Sequence, residues 1–286
     1  MRRVKAFARE WMLPRGIYRV LKDSSPKIKR MWGGKSPGRP PTVYLEPSGQ
    51  ATADLFDLQT CPYGRILWVE TERLFAKSGR PFSWQQHPFV RYYKEGEEVF
   101  ARYYQLHQPR NQIELVMLDP ASVGKFVPVT YPNRRKPWDF ETQYSGDGGL
   151  DATHGDKYQG PASTKKLLFE MKRLDLLRKS VEKSGFRVVG GDHIRFGELL
   201  INDEASGQID YRVGVSGGEH RTSLLSHLGW QLIPMVPNEG LRWREVRLSN
   251  LRHWPGVLDG TFSEDAARQF FLAHFRSTTD RLLPGW

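Results

Sequence analysis

The sequence predicts an α+β protein, on three observations. Leu167, Met171, Leu174, Leu177 and Val181 recur at helical spacing. Two extended segments follow, residues 194–201 (IRFGELLI) and 209–215 (IDYRVGV), joined by a polar turn as in a hairpin with a longer loop. The second runs into Ser216-Gly217-Gly218, then Leu224, Leu225 and Leu228 at helical spacing, Gly229, and the apolar run Leu232-Ile233-Pro234-Met235-Val236. That pattern spells strand, glycine turn, short helix, glycine cap and strand.

The chain divides into three parts: a basic leader over residues 1–40, a mixed α/β region over 41–150, and a further domain over 151–286 that ends in a helix. The 286 residues, 38% of them hydrophobic, suffice for one large or two modest cores. The net charge is +11, but the first 40 residues hold twelve basic groups against Glu10 and Asp23, a net of +10. The remaining 246 residues are nearly neutral at +1, so the body lacks the broad positive field of a nucleic-acid-binding domain. A lone Cys61 excludes an intramolecular disulfide and any multi-cysteine metal site. No apolar run of about 18 residues is present, and charge interrupts every apolar stretch of the N-terminus, which makes it a poor secretory signal. The expectation is a cytoplasmic protein, held peripherally on the inner membrane by its leader.

In that leader Val4, Phe7, Ala8, Trp11 and Met12 line one helical face, with Arg2, Arg3, Lys5 and Arg9 mostly elsewhere. The pattern resumes at Ile17, Tyr18 and Leu21 before decaying into a Pro, Gly and Lys-rich linker. A cationic amphipathic helix of this form suits an anionic membrane surface. A basic helix docked on the body, a tail, and nucleic-acid binding by the interleaved aromatics are the alternatives.

From residue 41 the pattern predicts a strand over 42–45, another over 65–70, and one long helix over 88–107. Phe89, Val90, Tyr93, Val99, Phe100 and Tyr103 form its apolar face, which helical spacing assigns to the core. Residues 119–162 are rich in Gly, Pro, Asp and Asn with little periodicity. Their Gly-Asp run, residues 145–151, lacks the acidic ladder and terminal Glu of a calcium loop and is expected to be a flexible loop.

Order returns with the helix at Lys165, with Ser163 near its N-cap and Gly185 at its C-cap position. Beyond it, the paired Gly217 and Gly218 let backbone amides approach a ligand, and the following helix start offers unpaired N–H groups. Such a turn is a natural phosphate cradle, to which His220 and Arg221 add donors. The alternative is a tight turn whose Glu219, His220 and Arg221 cap the helix and pair with neighbours.

The string GGEHRTSLLSHLGWQLIPM, preceded by a helix ending in SVEKSGF and by two strands, resembles the ParB/sulfiredoxin superfamily over about residues 163–237. The resemblance implies a nucleotide-phosphate site at this turn, with ATP or another nucleoside triphosphate and Mg2+ as cofactors. In sulfiredoxins the turn reads Gly-Gly-Cys-His-Arg; here Gly217, Gly218, His220 and Arg221 match and Glu219 replaces the nucleophilic cysteine, which argues against sulfiredoxin chemistry. ParB proteins carry a Gly-Glu-Arg-Arg turn, hydrolyse CTP and continue into a helix-turn-helix, for which the roughly 50 residues after Pro237 offer no pattern. The superfamily's free serine kinases use a carboxylate near this turn to activate a hydroxyl, and by that analogy Glu219 is the candidate base. His154-Gly-Asp-Lys-Tyr-Gln-Gly-Pro-Ala-Ser163 and Arg252-His-Trp-Pro-Gly-Val257 resemble segments of superfamily members encoded with glycosyltransferases in bacterial capsule and lipopolysaccharide clusters, which implies a sugar or glycan acceptor.

Each remaining candidate has two readings. Lys165 and Lys166 reach a terminal phosphate or are surface charge. Ser163 is a helix cap first and a ligand second. His154 and the Gly160-Pro161 turn belong to a loop closing on the site or to a surface turn. Asp192 and His193 contact magnesium or the acceptor, or form an Asx turn. The eight histidines show no zinc-protease spacing, and the serine-hydrolase elbow, the Walker A loop and the kinase glycine-rich loop are missing from the sequence. The function expected is thus an ATP-dependent kinase for a hydroxyl of a sugar or glycan intermediate in surface polysaccharide biosynthesis. The rival is a nucleotide-binding or CTPase-type switch that recruits a partner, and DNA binding stands third.

Overall fold

The computed structural model describes residues 42–76, 84–116, 118, 133–139, 142–143, 146–147, 149–204, 209–238 and 244–275. The leader, residues 1–40, lies outside them. In chain order the elements are β1 (Thr42–Tyr44), α1 (Leu55–Thr60), β2 (Leu67–Glu70), β3 (Leu74–Ala76), α2 (Pro88–Glu95), α3 (Glu97–Leu106), α4 (Gln112–Leu115), β4 (Asn133–Arg134), β5 (Thr142–Gln143), β6 (Gly146–Asp147), β7 (Leu150–Asp151), α5 (Thr164–Ser184), β8 (Arg187–Val189), β9 (Ile194–Asn202), β10 (Asp210–Gly217), α6 (Glu219–His227), β11 (Leu232–Pro237), β12 (Arg244–Arg247), α7 (Pro255–Leu258) and α8 (Glu264–Leu272). Helix and sheet are mixed, as expected.

One sheet organises the body, with strand order β2-β11-β9-β10-β3 and β12 beside the far half of β9. The predicted hairpin is its centre: β9 and β10 pair antiparallel, Asp210 opposite Asn202. Two bulges interrupt this ladder, leaving Gly197 and then Ser216 unpaired. The first flips the side-chain alternation, so that Phe196 and Leu199 both face one core. The second bends β10 just before Gly217. The boundary drawn at residue 150 does not divide this sheet, because β2 and β3 supply strands next to β11 and β10.

Apolar residues cover both faces. Val69, Phe196, Leu199, Val213, Val215, Ile233 and Met235 pack with Trp84, Phe186 and Leu225 on one. Phe75, Leu200 and Val246 pack with Trp138, Trp254, Phe270 and Phe271 on the other. The expected C-terminal helix is α8, capped by Ser263 and burying Ala267, Phe270 and Phe271, with Phe275 packed partly beside them.

The long helix expected over 88–107 is instead two, α2 and α3, broken at Gly96. Gly96 adopts φ 92°, ψ −165°, which only glycine takes easily, and it ends one helix while starting the next. The apolar face survives the break: Phe89, Tyr92, Tyr93, Phe100, Tyr103 and Tyr104 form a third cluster with Leu174 of α5 and Leu224 of α6. The flexible loop expected over 145–151 is also corrected. Gly146–Asp147 and Leu150–Asp151 pair as a short hairpin, and Asp151 then caps a helical turn by accepting from the Thr153 amide.

Candidate functional site

Strand β10 ends where β9 begins, Gly217 lying opposite Arg195, and this brings the residues around 191–195 against the start of α6. Gly218 is left-handed (φ 88°, ψ 22°), and a Cβ on it would come within 3.1 Å of the Ile194 Cα. Both demands select glycine. The three residues that follow diverge.

Glu219, the first residue of α6, is buried at 3% exposure, and the Lys157 Nζ stands 3.6 Å from its Oε2. His220 turns inward. Its Nε2 lies 2.7 Å from Glu170 Oε2 and its ring stacks on Phe89 at 4.6 Å. Arg221 turns to the rim, where its guanidinium donates to the carbonyls of Asp192 and His193 and meets the Asp192 carboxylate at 3.1 Å.

Glu170 is the hub of the buried part. It is wholly enclosed, with Lys166 Nζ 2.8 Å from Oε1 and Arg173 Nη1 3.4 Å from Oε2. Burial alone would raise its carboxyl, but the His220 hydrogen bond and the charges of Arg173 and Lys166 outweigh that and hold it well below the usual carboxylate range. Burial pushes the His220 imidazole down despite its Glu170 partner. A neutral imidazole facing an ionised carboxylate carries its proton on Nε2 and donates it.

The surface-charge reading of Lys166 is therefore corrected. It is not surface charge: it is buried and stands as the counter-ion of Glu170, one helical turn away. The His220 Nε2 is likewise directed to the interior, to Glu170. Lys165 remains exposed at the helix start. Ser163 caps α5, accepting from the Lys166 amide at 3.1 Å, and its hydroxyl also bonds His154 Nδ1 at 2.9 Å.

The loop holding His154 and the Gly160-Pro161 turn is not a plain surface turn: its middle is packed into the body. Asp156, Tyr158, Gln159 and Gly160 are all buried. The Tyr103 hydroxyl donates to the Tyr158 carbonyl at 2.6 Å, and the Tyr104 hydroxyl donates to that of Lys157. Asp156 accepts from the Tyr158 amide at 2.9 Å. A Cβ at Gly160 would collide with the Tyr104 carbonyl, so the loop and α3 meet backbone to backbone.

Asp192 and His193 are at the rim, where burial and the Arg221 charge lower the His193 imidazole. The structure thus gathers Gly217, Gly218, Glu219, Arg221, Asp192 and His193 at one end of the sheet, with His220 behind them. Lys157 and Glu170 escaped the sequence reading. An i, i+4 Lys-Glu pair was the available signal for Glu170, but on an exposed helix face it looks the same.

In comparison with known proteins, no family model, no curated protein and no solved structure matches the chain. Among the described residues no helix is long and apolar enough to cross a membrane.

Proposed function

We propose that the chain is a nucleoside triphosphate-dependent phosphotransferase of the ParB/sulfiredoxin type that phosphorylates a hydroxyl of a sugar or glycan intermediate in bacterial surface polysaccharide biosynthesis. The observation that carries this reading is the Gly217-Gly218 turn, which opens α6 with a carboxylate and an arginine two residues apart and a lysine facing the carboxylate. Amides at the α6 start and Arg221 bind phosphate oxygens. Glu219 takes the proton of the acceptor hydroxyl as its oxygen forms a bond to the γ-phosphorus; the bond to the β,γ-bridging oxygen breaks and the nucleoside diphosphate leaves with that electron pair. Glu170 and Lys166 hold His220 in place behind the turn.

Among the described residues no group of three or more His, Cys, Asp or Glu side chains is arranged to hold a metal. Mg2+ would be carried largely by nucleotide phosphates and water, and the Asp192 carboxylate at the rim is the residue that would add an oxygen ligand. The ion supplies neutralisation of phosphate charge. Residues 1–40 place the enzyme on an anionic membrane surface through their basic charge.

The test is calorimetric titration with ATP, CTP, GTP and UTP, with and without Mg2+, on the chain and on Arg221→Ala, followed by a screen of sugar acceptors for transfer of labelled phosphate. The reading expects Mg2+-dependent binding that Arg221→Ala abolishes, and transfer that Glu219→Gln abolishes while nucleotide affinity stays. Hydrolysis with no labelled acceptor points to the nucleotide switch. Failure to bind any of the four overturns both.

A further inference from the structure

We infer that Lys157 is a phosphate-binding residue of this site, its ammonium turning from Glu219 to a phosphate oxygen when a polyphosphate occupies the Gly217-Gly218 turn. The inference rests on the phosphate reading of that turn, and it adds a residue that neither the turn motif nor its neighbours in sequence contain.

The placement of Lys157 is specified to an unusual degree. Its carbonyl is held by the Tyr104 hydroxyl and the next carbonyl by the Tyr103 hydroxyl. Residues on both sides of it, Asp156 and Tyr158, are buried. A lysine serving solubility needs no such anchoring, because its stem samples many rotamers in water. Here the backbone is pinned and the side chain points at the start of α6.

Its partner gives the second argument. The Glu219 carboxylate is nearly inaccessible, whereas the Lys157 side chain keeps 21% of its surface, so the lysine stands on the solvent side of the pair. The 3.6 Å separation is an ion-pair contact, longer than the 2.7–3.2 Å of a direct N–H···O bond. Turning the ammonium to a second oxyanion therefore breaks no hydrogen bond to Glu219.

Two consequences follow for the reaction proposed above. Lys157 would contribute a point charge to the transferred phosphoryl group, complementing the bidentate Arg221 at the rim. Its departure from Glu219 would leave that carboxylate to the acceptor hydroxyl, so that the base becomes available only when phosphate is present.

The experiment is titration of the full chain, of Lys157→Met and of Lys157→Arg with Mg2+-ATP and with inorganic tripolyphosphate, with a thermal melt of each variant. The expected result is an affinity loss of about ten-fold or more for both ligands in Lys157→Met, with an unchanged melt. Lys157→Arg should regain most of it. Wild-type affinity in Lys157→Met overturns the inference and leaves the phosphate reading standing. Equal losses in both variants, accompanied by a lower melting temperature, overturn it in favour of a structural lysine. If the unaltered chain binds neither ligand, the phosphate reading itself has failed and the inference falls with it.

Discussion

Two regions of the molecule differ in how they place charge beside their aromatic clusters. Against one face of the sheet, Trp138, Trp254, Phe262, Phe270 and Phe271 pack ring to ring with centroids 5.3–6.1 Å apart and with Ala266 and Ala267 filling between them. Its ionic groups, Lys136 with Glu198 and Arg135 with Asp259, sit around that cluster, and the Lys136 ammonium also lies over the Phe75 and Trp138 rings. Where α5 meets α6, the cluster around Leu174 and Leu224 encloses charged groups as well, Lys166, Glu170 and Glu219, with His220 largely covered beside them. Rings at 5–6 Å stabilise through area and edge-to-face contact. Enclosed charges recover at best what their dehydration costs, so the second arrangement is explained by chemistry more than by stability.

The sharpest way to break this contrast is to remove one member from each side. Phe270→Ala should lower the unfolding free energy by about 3–5 kcal/mol, the usual cost of a phenylalanine-sized cavity. Glu170→Ala should cost a similar ~3–5 kcal/mol, because it strands the Lys166 ammonium in the interior. The difference lies in the repair. Exchanging Lys166→Met together with Glu170→Leu should recover most of the stability while nucleotide binding stays impaired, since His220 has lost its acceptor. Urea denaturation beside calorimetric titration measures both, and a double variant no more stable than Glu170→Ala would show that the charged cluster stabilises the fold after all.

Acid separates the two regions next. The folded His220 imidazole is held below its ordinary 6.5 by burial, so as pH falls through 6.5 the unfolded chain takes up a proton before the native state and stability drops. The Glu170 carboxyl is held below 4.5, and its contribution, complete above that value, is lost as pH falls further. Both act in one direction. Asp259, held at about 2 by Thr261 and Arg135, begins to lose its smaller, solvent-screened contribution only below 3.8. Denaturation midpoints should therefore decline from pH 7 towards 5, and His220→Gln should flatten most of that decline, leaving the lesser parts of His193 and His227, both also lowered. An unchanged slope in His220→Gln would remove the imidazole from the account.

How much of this was legible in the sequence follows the same division. The helix at Thr164–Ser184, its serine and glycine caps, the β9–β10 hairpin and the glycine turn were all readable, because each is written in local periodicity and in residues with special backbone needs. The break at Gly96 was missed because Tyr93 and Phe100 keep a helical interval across it. The joining of β2 and β3 to strands well over a hundred residues away leaves no local trace. Least legible were the roles of Lys166 and His220. Whether an i, i+4 Lys-Glu pair faces water or the interior depends on what packs over it, here His220 at the start of α6. Lys157 was hidden in a stretch whose lack of periodicity looked like looseness, although its polar groups are bonded to α3.

The smallest effect is the most controlled comparison, since a serine caps one helix in each region. Ser263 Oγ accepts from the Ala266 amide at 3.1 Å and Ser163 Oγ from the Lys166 amide at the same distance. Either serine replaced by alanine should cost about 1 kcal/mol. Only Ser163 also holds His154, at 2.9 Å, and through it the loop that carries Lys157. Ser263→Ala should thus lower stability and leave nucleotide affinity unchanged, whereas Ser163→Ala should lower stability by a like amount and weaken affinity several-fold. Equal affinities in the two variants would mean that the loop is held by Tyr103 and Tyr104 alone and that the cap of α5 is separate from the site.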